Sequence, residues 1–336
     1  MIQEAIKSLC NGDDLNIETA DLAIEEMIKG RATPAQISAF LIALKMKGET
    51  PDEIFSFVKK LRENCLKIPI EKEGVIDLCG TGGDGKSTFN ISTISAFVVA
   101  GANVKVAKHG NRAISSKCGS ADLIEGLGIK LPDSPIKIKQ AIEEIGIGFI
   151  FAPFFHPSMR NIQPVRREIG VRTIFNVLGP LINPAGVERQ LIGFFEGETM
   201  RKVSSVLKKI GGKKFLLVSS KDGLDEISLF QPTQFILIDD GKTEEGEIIP
   251  EDFGFKMREA NIKVKSVEES LKILFSVLKG EHSVFRDIIL LNSGAAIFVS
   301  GIASNLKEGV DMAKESIDSK KAMKKLIDFI RFHREG

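Results

Sequence analysis

Hydrophobic positions recur along this chain in two rhythms. Up to about residue 68 they fall three and four apart: Ile37, Phe40, Leu41 and Leu44 share one helical face, and Ile54, Val58 and Leu61 share another. Each stripe follows a start signal, Thr33-Pro34-Ala35-Gln36 or Thr50-Pro51-Asp52-Glu53. In both, a threonine hydroxyl can cap the helix, proline takes the first helical position, and Gln or Glu answers the cap. Gly30 and Gly48 end the preceding helices. Only helices are predicted here, and the stripes carry no chemistry, so a small bundle for packing or dimerisation is expected.

From residue 74 the rhythm changes. Apolar runs at 74–79, 103–108, 147–152, 191–195, 214–219 and 235–239 read as strands, and helical patterns fill much of the space between, including 199–210, 266–279 and 305–331. Such alternation predicts a mostly parallel sheet covered by helices. The expected fold class is α/β, with a small all-helical N-terminal domain (1–70) and a larger α/β domain (71–336) built on a mostly parallel central sheet. The Gly- and Pro-rich stretch 170–190 is expected to cross between the domains, and the Lys/Glu/Gly-rich stretch 240–250 to be an exposed loop. Ligands of such sheets collect beyond the carboxyl ends of the strands.

Composition narrows the class. The 336 residues are 43% apolar and 27% charged, the balance of an ordinary enzyme, and a net charge of +1 gives no global field toward nucleic acid or acidic membranes. Cys10, Cys65, Cys79 and Cys118 form no C-x-x-C pair, so neither a zinc site nor a disulfide framework is expected. The longest apolar run, Ile145 to Phe155, is too short to span a bilayer, and the N-terminus does not read as a signal peptide. A cytoplasmic protein is expected.

The densest chemistry follows the first strand, Val75-Ile76-Asp77-Leu78-Cys79. Gly80-Thr81-Gly82-Gly83-Asp84-Gly85-Lys86-Ser87 satisfies both G-x-x-x-x-G-K-[ST], the triphosphate loop, and G-x-G-x-x-G, the dinucleotide loop. Glycines let backbone N–H groups close on an anion, and a helix start behind them adds a favourable dipole. Phe235-Ile236-Leu237-Ile238-Asp239-Asp240 could supply the metal-binding Asp of a triphosphate enzyme, although a buried strand ending in a solvated turn explains it as well. Against that enzyme, Asp84 puts a carboxylate inside the cradle, where it would repel phosphate unless a cation intervened. Against a dinucleotide, no acidic residue ends the second strand; Lys108-His109-Gly110-Asn111-Arg112 stands there, followed by Ala113-Ile114-Ser115-Ser116 and Gly119-Ser120. Two cations, an imidazole and several hydroxyls around turn-forming glycines suit a multiply phosphorylated ligand. Alone, the segment could also be an ordinary polar loop.

Together, Gly80-Thr81-Gly82-Gly83-Asp84, Asn90-Ile91-Ser92-Thr93 and Lys108-His109-Gly110-Asn111-Arg112 resemble the anthranilate phosphoribosyltransferase family. The resemblance continues through Phe151-Ala152-Pro153, His156-Pro157, Pro164-Val165-Arg166-Arg167-Glu168 and Arg172-Thr173-Ile174-Phe175-Asn176. Leu178-Gly179-Pro180-Leu181 with Asn183-Pro184, Asp222-Gly223-Leu224-Asp225-Glu226-Ile227-Ser228 and Pro250-Glu251-Asp252-Phe253-Gly254 complete it, so that it covers nearly the whole chain in order. Ala113 stands where the family often has Ser, and Gln231 where Gly commonly precedes Pro-Thr.

The resemblance implies a nucleoside phosphorylase/phosphoribosyltransferase-like fold and transfer of phosphoribose from phosphoribosyl pyrophosphate (PRPP) to anthranilate, a step of tryptophan biosynthesis. It implies Mg²⁺ and a homodimer. Carried over, PRPP would be held by Gly80, Gly83, Asp84, Thr88, Asn90, Ile91, Ser92, Thr93, Lys108, His109, Gly110, Asn111, Arg112, Ala113, Ile114, Ser115, Ser116 and Ser120. Ser92, Asp225 and Glu226 would bind Mg²⁺, with Lys108, Asp225 and Glu226 acting on the chemistry; anthranilate would meet Gly80, His109, Asn111, His156 and Arg166. The rivals are a pyrimidine nucleoside phosphorylase, which would leave Asp225-Glu226 without a use as a metal pair, and a nucleotide-binding regulatory module built on the apparent triphosphate loop.

Overall fold

The computed structural model describes residues 1–83, 85–113 and 117–335. Asp84, Ile114, Ser115 and Ser116, all expected at the donor site, lie outside the described residues.

The chain opens with four helices, α1 (Ile2–Cys10), α2 (Ile17–Ile28), α3 (Pro34–Lys47) and α4 (Pro51–Glu63). Both capping boxes form: the Thr33 and Thr50 hydroxyls accept from Gln36 N–H and Glu53 N–H at 3.3 Å, and the Gln36 and Glu53 side chains accept in return at 2.9 and 2.8 Å. Glu53 also accepts the Leu15 N–H and pairs with Lys47, each at 3.0 Å, which is how a carboxylate only 1% exposed is kept satisfied. The predicted stripes are buried, and Phe57 packs edge-on against Phe175, ring centroids 5.4 Å apart.

Seven strands follow: β1 (Val75–Gly80), β2 (Lys105–Gly110), β3 (Ile147–Phe151), β4 (Arg189–Gly193), β5 (Lys214–Ser220), β6 (Thr233–Asp239) and β7 (Lys242–Ile248). They form one sheet in the order β3-β2-β1-β4-β5-β6-β7, parallel through β5 and antiparallel beyond. The connecting helices are α5 (Ile91–Gly101), α6 (Ser120–Gly126), α7 (Pro135–Gln140), α8 (Ala152–Phe155), α9 (Gln163–Ile169), α10 (Phe175–Leu178) and α11 (Gly197–Ile210). Four more end the chain, α12 (Val267–Leu278), α13 (Val284–Ser300), α14 (Leu306–Asp318) and α15 (Lys321–Glu335). The chain builds β1, β2 and β3 in one direction and then returns to place β4 on the other side of β1. The crevice at the carboxyl end of β1 is therefore where such a sheet takes its ligand.

Strand alternation divides the core. Leu191, Leu216 and Val218 join α5, α13 and α15 on one face, whereas Ile192, Phe215 and Leu217 join the N-terminal helices and α11 on the other. Ile162, Val165, Ile174, Phe175, Leu178 and Leu181 enter that second core, so the chain revisits the N-terminal helices after β3. No helix among the described residues is long and apolar enough to cross a membrane.

Two sequence expectations need correction, and one long helix is not singled out by the sequence pattern. The stretch 240–250 is no loop, because Lys242–Ile248 is strand β7 on the sheet edge. Its first six residues are all exposed, so no buried face writes an alternating pattern, and its charges protect an open edge. The helical stretch 305–331 is two helices broken at Ser319-Lys320, where Lys320 has φ 65°. Helix α13 lacks an amphipathic stripe because almost its whole circumference is buried.

Candidate active site

The glycine loop leaves β1 at Gly80, and α5 begins only at Ile91. A triphosphate loop would open its helix at Lys86-Ser87. Here Ser87 has φ 53°, its carbonyl accepts the Val264 N–H at 3.0 Å, Thr88 bridges to Lys263, and Phe89 N–H donates to the Ile262 carbonyl at 3.1 Å. The segment is pinned to 262–264 instead of winding into a helix. The other half of that reading fails as well. Strand β6 is antiparallel, so Asp239 lies beside Lys214 at the start of β5, 3.0 Å from its ammonium and at the opposite end of the sheet from Gly80.

Helix α5 has no side-chain cap, because Asn90 gives its amide to the Cys118 carbonyl at 3.0 Å and its Oδ1 is buried without a partner. Ile91 N–H already donates to the Phe89 carbonyl at 2.8 Å, so the Ser92 and Thr93 N–H groups are what the first turn leaves for an anion. Ile91 and Thr93 are buried, whereas Ser92 is only half-buried.

Across the crevice, Lys108 and His109 are 4% and 5% exposed. Lys108 Nζ donates to the His109 carbonyl at 3.1 Å, and His109 N–H donates to Asp77 Oδ1 at 3.1 Å. Beyond Gly110, the Ser120 hydroxyl ties the loop, accepting the Asn111 N–H and donating to the Asn111 carbonyl, both at 3.1 Å. Asp122 gathers the loop ends by accepting from Ala113 and Gly119 N–H at 2.9 and 2.7 Å. Arg112 is turned outward into a bidentate pair with Glu125, at 2.8 and 3.1 Å, and lies over the Phe151 ring.

Asp225 and Glu226 sit on the turn after β5. Gly82 N–H donates to Asp225 Oδ2 at 2.7 Å, joining this turn to the glycine loop. Gly80 and Gly193 are register partners on β1 and β4, and a Cβ on Gly193 would fall on the Asp225 carbonyl oxygen, one on Gly80 on its carboxylate. Two glycines side by side thus make the floor on which Asp225 rests. From the other side, Asn292 of α13 clamps the turn, accepting the Ile227 N–H and donating to its carbonyl, each at 2.9 Å. Among the described residues no three His, Cys, Asp or Glu side chains converge as a metal cluster. Asp225 and Glu226 remain as an adjacent carboxylate pair, a donor type suited to a hard cation that keeps most of its water.

The two expected acceptor-side histidines come together, ring centroids 5.4 Å apart. His109 Nδ1 lies 3.1 Å from the Gly179 carbonyl, so Nδ1 carries the proton and Nε2 is a buried acceptor without a partner. The buried His156 ring makes no well-aligned hydrogen bond and only a weak contact with the Ile182 backbone. Burial, followed by repulsion from His156, depresses the His109 pKa to about 3, and burial depresses that of His156 to about 4; both are neutral. Arg166, on α9, lies over the Phe175 ring and donates to Gln163 Oε1 at 3.1 Å. Burial lowers it to about 10, and no carboxylate pairs with it among the described residues.

Several residues outside the expected binding sets also shape this site. Asp77, fully buried in β1, accepts from His109 N–H and from Asn183 Nδ2 (2.9 Å), while Asn183 also donates to the Ala107 carbonyl at 2.9 Å. Gln190 of β4 reaches both Asp77 Oδ2 (3.4 Å) and the Pro180 carbonyl (2.8 Å). One carboxylate thus fastens β1, β2, β4 and the 179–185 segment together. Burial raises its pKa, opposed by Lys108 and by its N–H donors. The sequence signal was present: a charge in the middle of an apolar strand must find partners.

The sequence profile of the glycosyl transferase family, a/b domain, matches residues 72–323, and that of the family's helical bundle domain matches residues 3–65. The chain is 45% identical over 98% of both chains to an anthranilate phosphoribosyltransferase of Aquifex aeolicus, and 44% identical over the full length of both to one of Persephonella marina. Its fold is similar to that of the anthranilate phosphoribosyltransferase of Thermus thermophilus, with a TM-score of 0.91 at 38% identity over 98% of this chain and 99% of that one. It is also similar to the enzyme of Saccharomyces cerevisiae in complex with PRPP and Mg, with a TM-score of 0.91 at 28% identity over 100% and 98%. Relatedness that runs through both domains, at this identity and without a gap in coverage, leaves one assignment: this chain belongs to the anthranilate phosphoribosyltransferase family.

Proposed function

We infer that the chain transfers the phosphoribosyl group of PRPP to anthranilate, giving N-(5-phosphoribosyl)anthranilate and pyrophosphate in the second step of tryptophan biosynthesis. The amine nitrogen forms a bond to C1 of the ribose while the bond from C1 to the pyrophosphate oxygen breaks, and the nitrogen then loses a proton. Family membership over the whole chain supports the reaction, and the observation in this molecule that carries it is the Asp225 carboxylate seated on a glycine loop at the β1/β4 crevice. A nucleoside phosphorylase, using free phosphate, has no use for that pair.

Donor binding falls to the glycine loop, the start of α5 and the Lys108-to-Ser120 segment. Asp225 and Glu226, with the Ser92 hydroxyl, would hold Mg²⁺, whose chemistry is to neutralise charge on the departing pyrophosphate. Lys108 adds a buried cation, compensated by Asp77 while the donor is away. Anthranilate's aromatic amine is neutral at pH 7, so no base is required to create the nucleophile, and catalysis is positioning and electrostatics. The Arg166 guanidinium takes the acceptor carboxylate; a planar fork does this in two hydrogen bonds where an ammonium cannot. His109 and His156 form a neutral wall near the acceptor, and the unpartnered His109 Nε2 can accept from its amine.

The division at residue 70, the crossing through 170–190, a homodimer and a cytoplasmic location belong to the same reading. The exposed apolar Ile17, Leu22 and Met46 of the N-terminal helices support the dimer, which sedimentation would test. Loss of anthranilate fluorescence on mixing with PRPP and Mg²⁺ tests the reaction. No loss at ample enzyme overturns it.

A further inference from the structure

Arg172 lies on the segment that links α9 to α10, outside every residue set assigned above. Its guanidinium stacks on the Phe195 ring just beyond β4, 4.2 Å from the centroid. It also lies against the glycine loop. A Cβ on Gly83 would meet Arg172 Nη2 at 2.8 Å, Cζ at 3.2 Å and Nε at 3.4 Å. Gly83 has φ +76°, so its lack of a side chain serves both the turn and the close approach of the cation.

Charge accounting separates Arg172 from its neighbours. Arg112 is neutralised by Glu125, and Lys108 is turned onto the His109 carbonyl. Arg172 forms no ion pair or hydrogen bond with any described residue, yet it is exposed and held in place by stacking. A guanidinium stacked on an aromatic ring keeps its five N–H groups in the ring-parallel plane, free to grip an oxyanion at the rim.

We infer that Arg172 binds the donor, the interdomain segment holding its guanidinium over the glycine loop to receive the pyrophosphate of PRPP. This rests on the transferase reading and extends it, since the donor site then includes a residue from the segment that also carries Arg166 toward the acceptor.

The test compares the parent with Arg172→Gln, Arg172→Lys and Phe195→Leu. PRPP binding with Mg²⁺ and no acceptor is measured by titration calorimetry, and the KM of each substrate by initial rates. Arg172→Gln should weaken PRPP binding about tenfold to a hundredfold, the range of a charge-assisted hydrogen bond, with the anthranilate KM within about twofold of the parent. Arg172→Lys should recover part of the loss. Phe195→Leu should lose a smaller factor, and add little to Arg172→Gln because both act through one guanidinium. Unchanged PRPP affinity in a folded Arg172→Gln protein overturns the inference, as does a selective rise in the anthranilate KM. A parent that neither binds PRPP nor consumes anthranilate would instead overturn the transferase reading itself, and this inference with it.

Discussion

The Asp225 carboxylate accepts the Gly82 N–H at 2.7 Å, so the turn that would carry the metal and the loop that would carry the phosphates are one hydrogen-bonded unit although they are 143 residues apart. Asp225→Asn combined with Glu226→Gln removes both charges and leaves the Gly82 N–H a neutral amide oxygen in place of a carboxylate. Metal contributions to such transition states are worth several kcal/mol, so turnover at limiting Mg²⁺ should fall on the order of a hundredfold or more, with the circular dichroism spectrum unchanged. Near-parent turnover in the double variant would remove the pair from the metal site.

The glycine floor makes a steric prediction. A methyl group on Gly193 collides with the Asp225 carbonyl, which is backbone and cannot rotate away. Gly193→Ala should destabilise the fold by about 1–3 kcal/mol, the usual cost of overpacking, and raise the Mg²⁺ concentration for half-maximal rate. Thermal melts and a Mg²⁺ titration check this. A parent-like result in both would mean that the turn can move without consequence.

Asp77→Asn should behave as a broken buried charge, because the new amide faces the His109, Asn183 and Gln190 donors and Lys108 loses its counter-charge. A loss of about 3 kcal/mol in chemical denaturation is expected. Asn183→Ala should cost less, since Asp77 keeps its other donors, but should raise the anthranilate KM by loosening Gly179 against His109. Equal stability losses in the two variants would show that Asp77 is not the hub.

Arg166→Ala should raise the anthranilate KM far more than the PRPP KM, by roughly tenfold to over a hundredfold for a charge-assisted hydrogen bond worth about 1.5–3 kcal/mol. Aniline, which keeps the amine and lacks the carboxylate, should be a poor acceptor for the parent and lose little more in the variant. Equal losses on both acceptors would make Arg166 a packing residue against Phe175.

The two neutral histidines predict a pH dependence. Their folded pKa values, about 3 and about 4, lie below the ordinary imidazole value of 6.5, so the unfolded chain binds more protons as pH falls through 6.5. Their stabilisation is complete above that value and is lost progressively toward about pH 4 for His156 and about pH 3 for His109. At pH 5 each has given up about 2 kcal/mol. His156→Gln should therefore lose less stability than the parent between pH 7 and pH 5. Parallel curves for the two proteins would mean that His156 is not held neutral.

Local signals carried the fold a long way. Thr33 and Thr50 announce their helices because a capping box is complete within four residues. The strands of the parallel core are legible because burial on both faces leaves continuous apolar runs. Strand β7 and helix α13 mark the limit from opposite sides. One buries too little to write a pattern and the other too much.

At the site, Gly80 to Ser87 states that a phosphate binds but fits two loop grammars, and Phe235 to Asp240 even completes the wrong one. Motifs elsewhere in the sequence pointed past both, and the sheet order showed why the triphosphate reading fails. An antiparallel β6 carries Asp239 to the far end, whereas the β1/β4 pairing carries Gly80 and Gly193 beneath Asp225. By itself the sequence determined the capped helices, the parallel core strands and which residue types can hold phosphate, metal and carboxylate, because capping, periodicity and ligand chemistry act within a few residues. Only the tertiary structure decided that Asp77 fastens four segments, that Arg112 is neutralised by Glu125 and that Arg172 lies over Gly83. A hydrogen bond or a stack depends on distances of a few ångströms between groups that the chain separates by tens of residues, and only packing sets those distances.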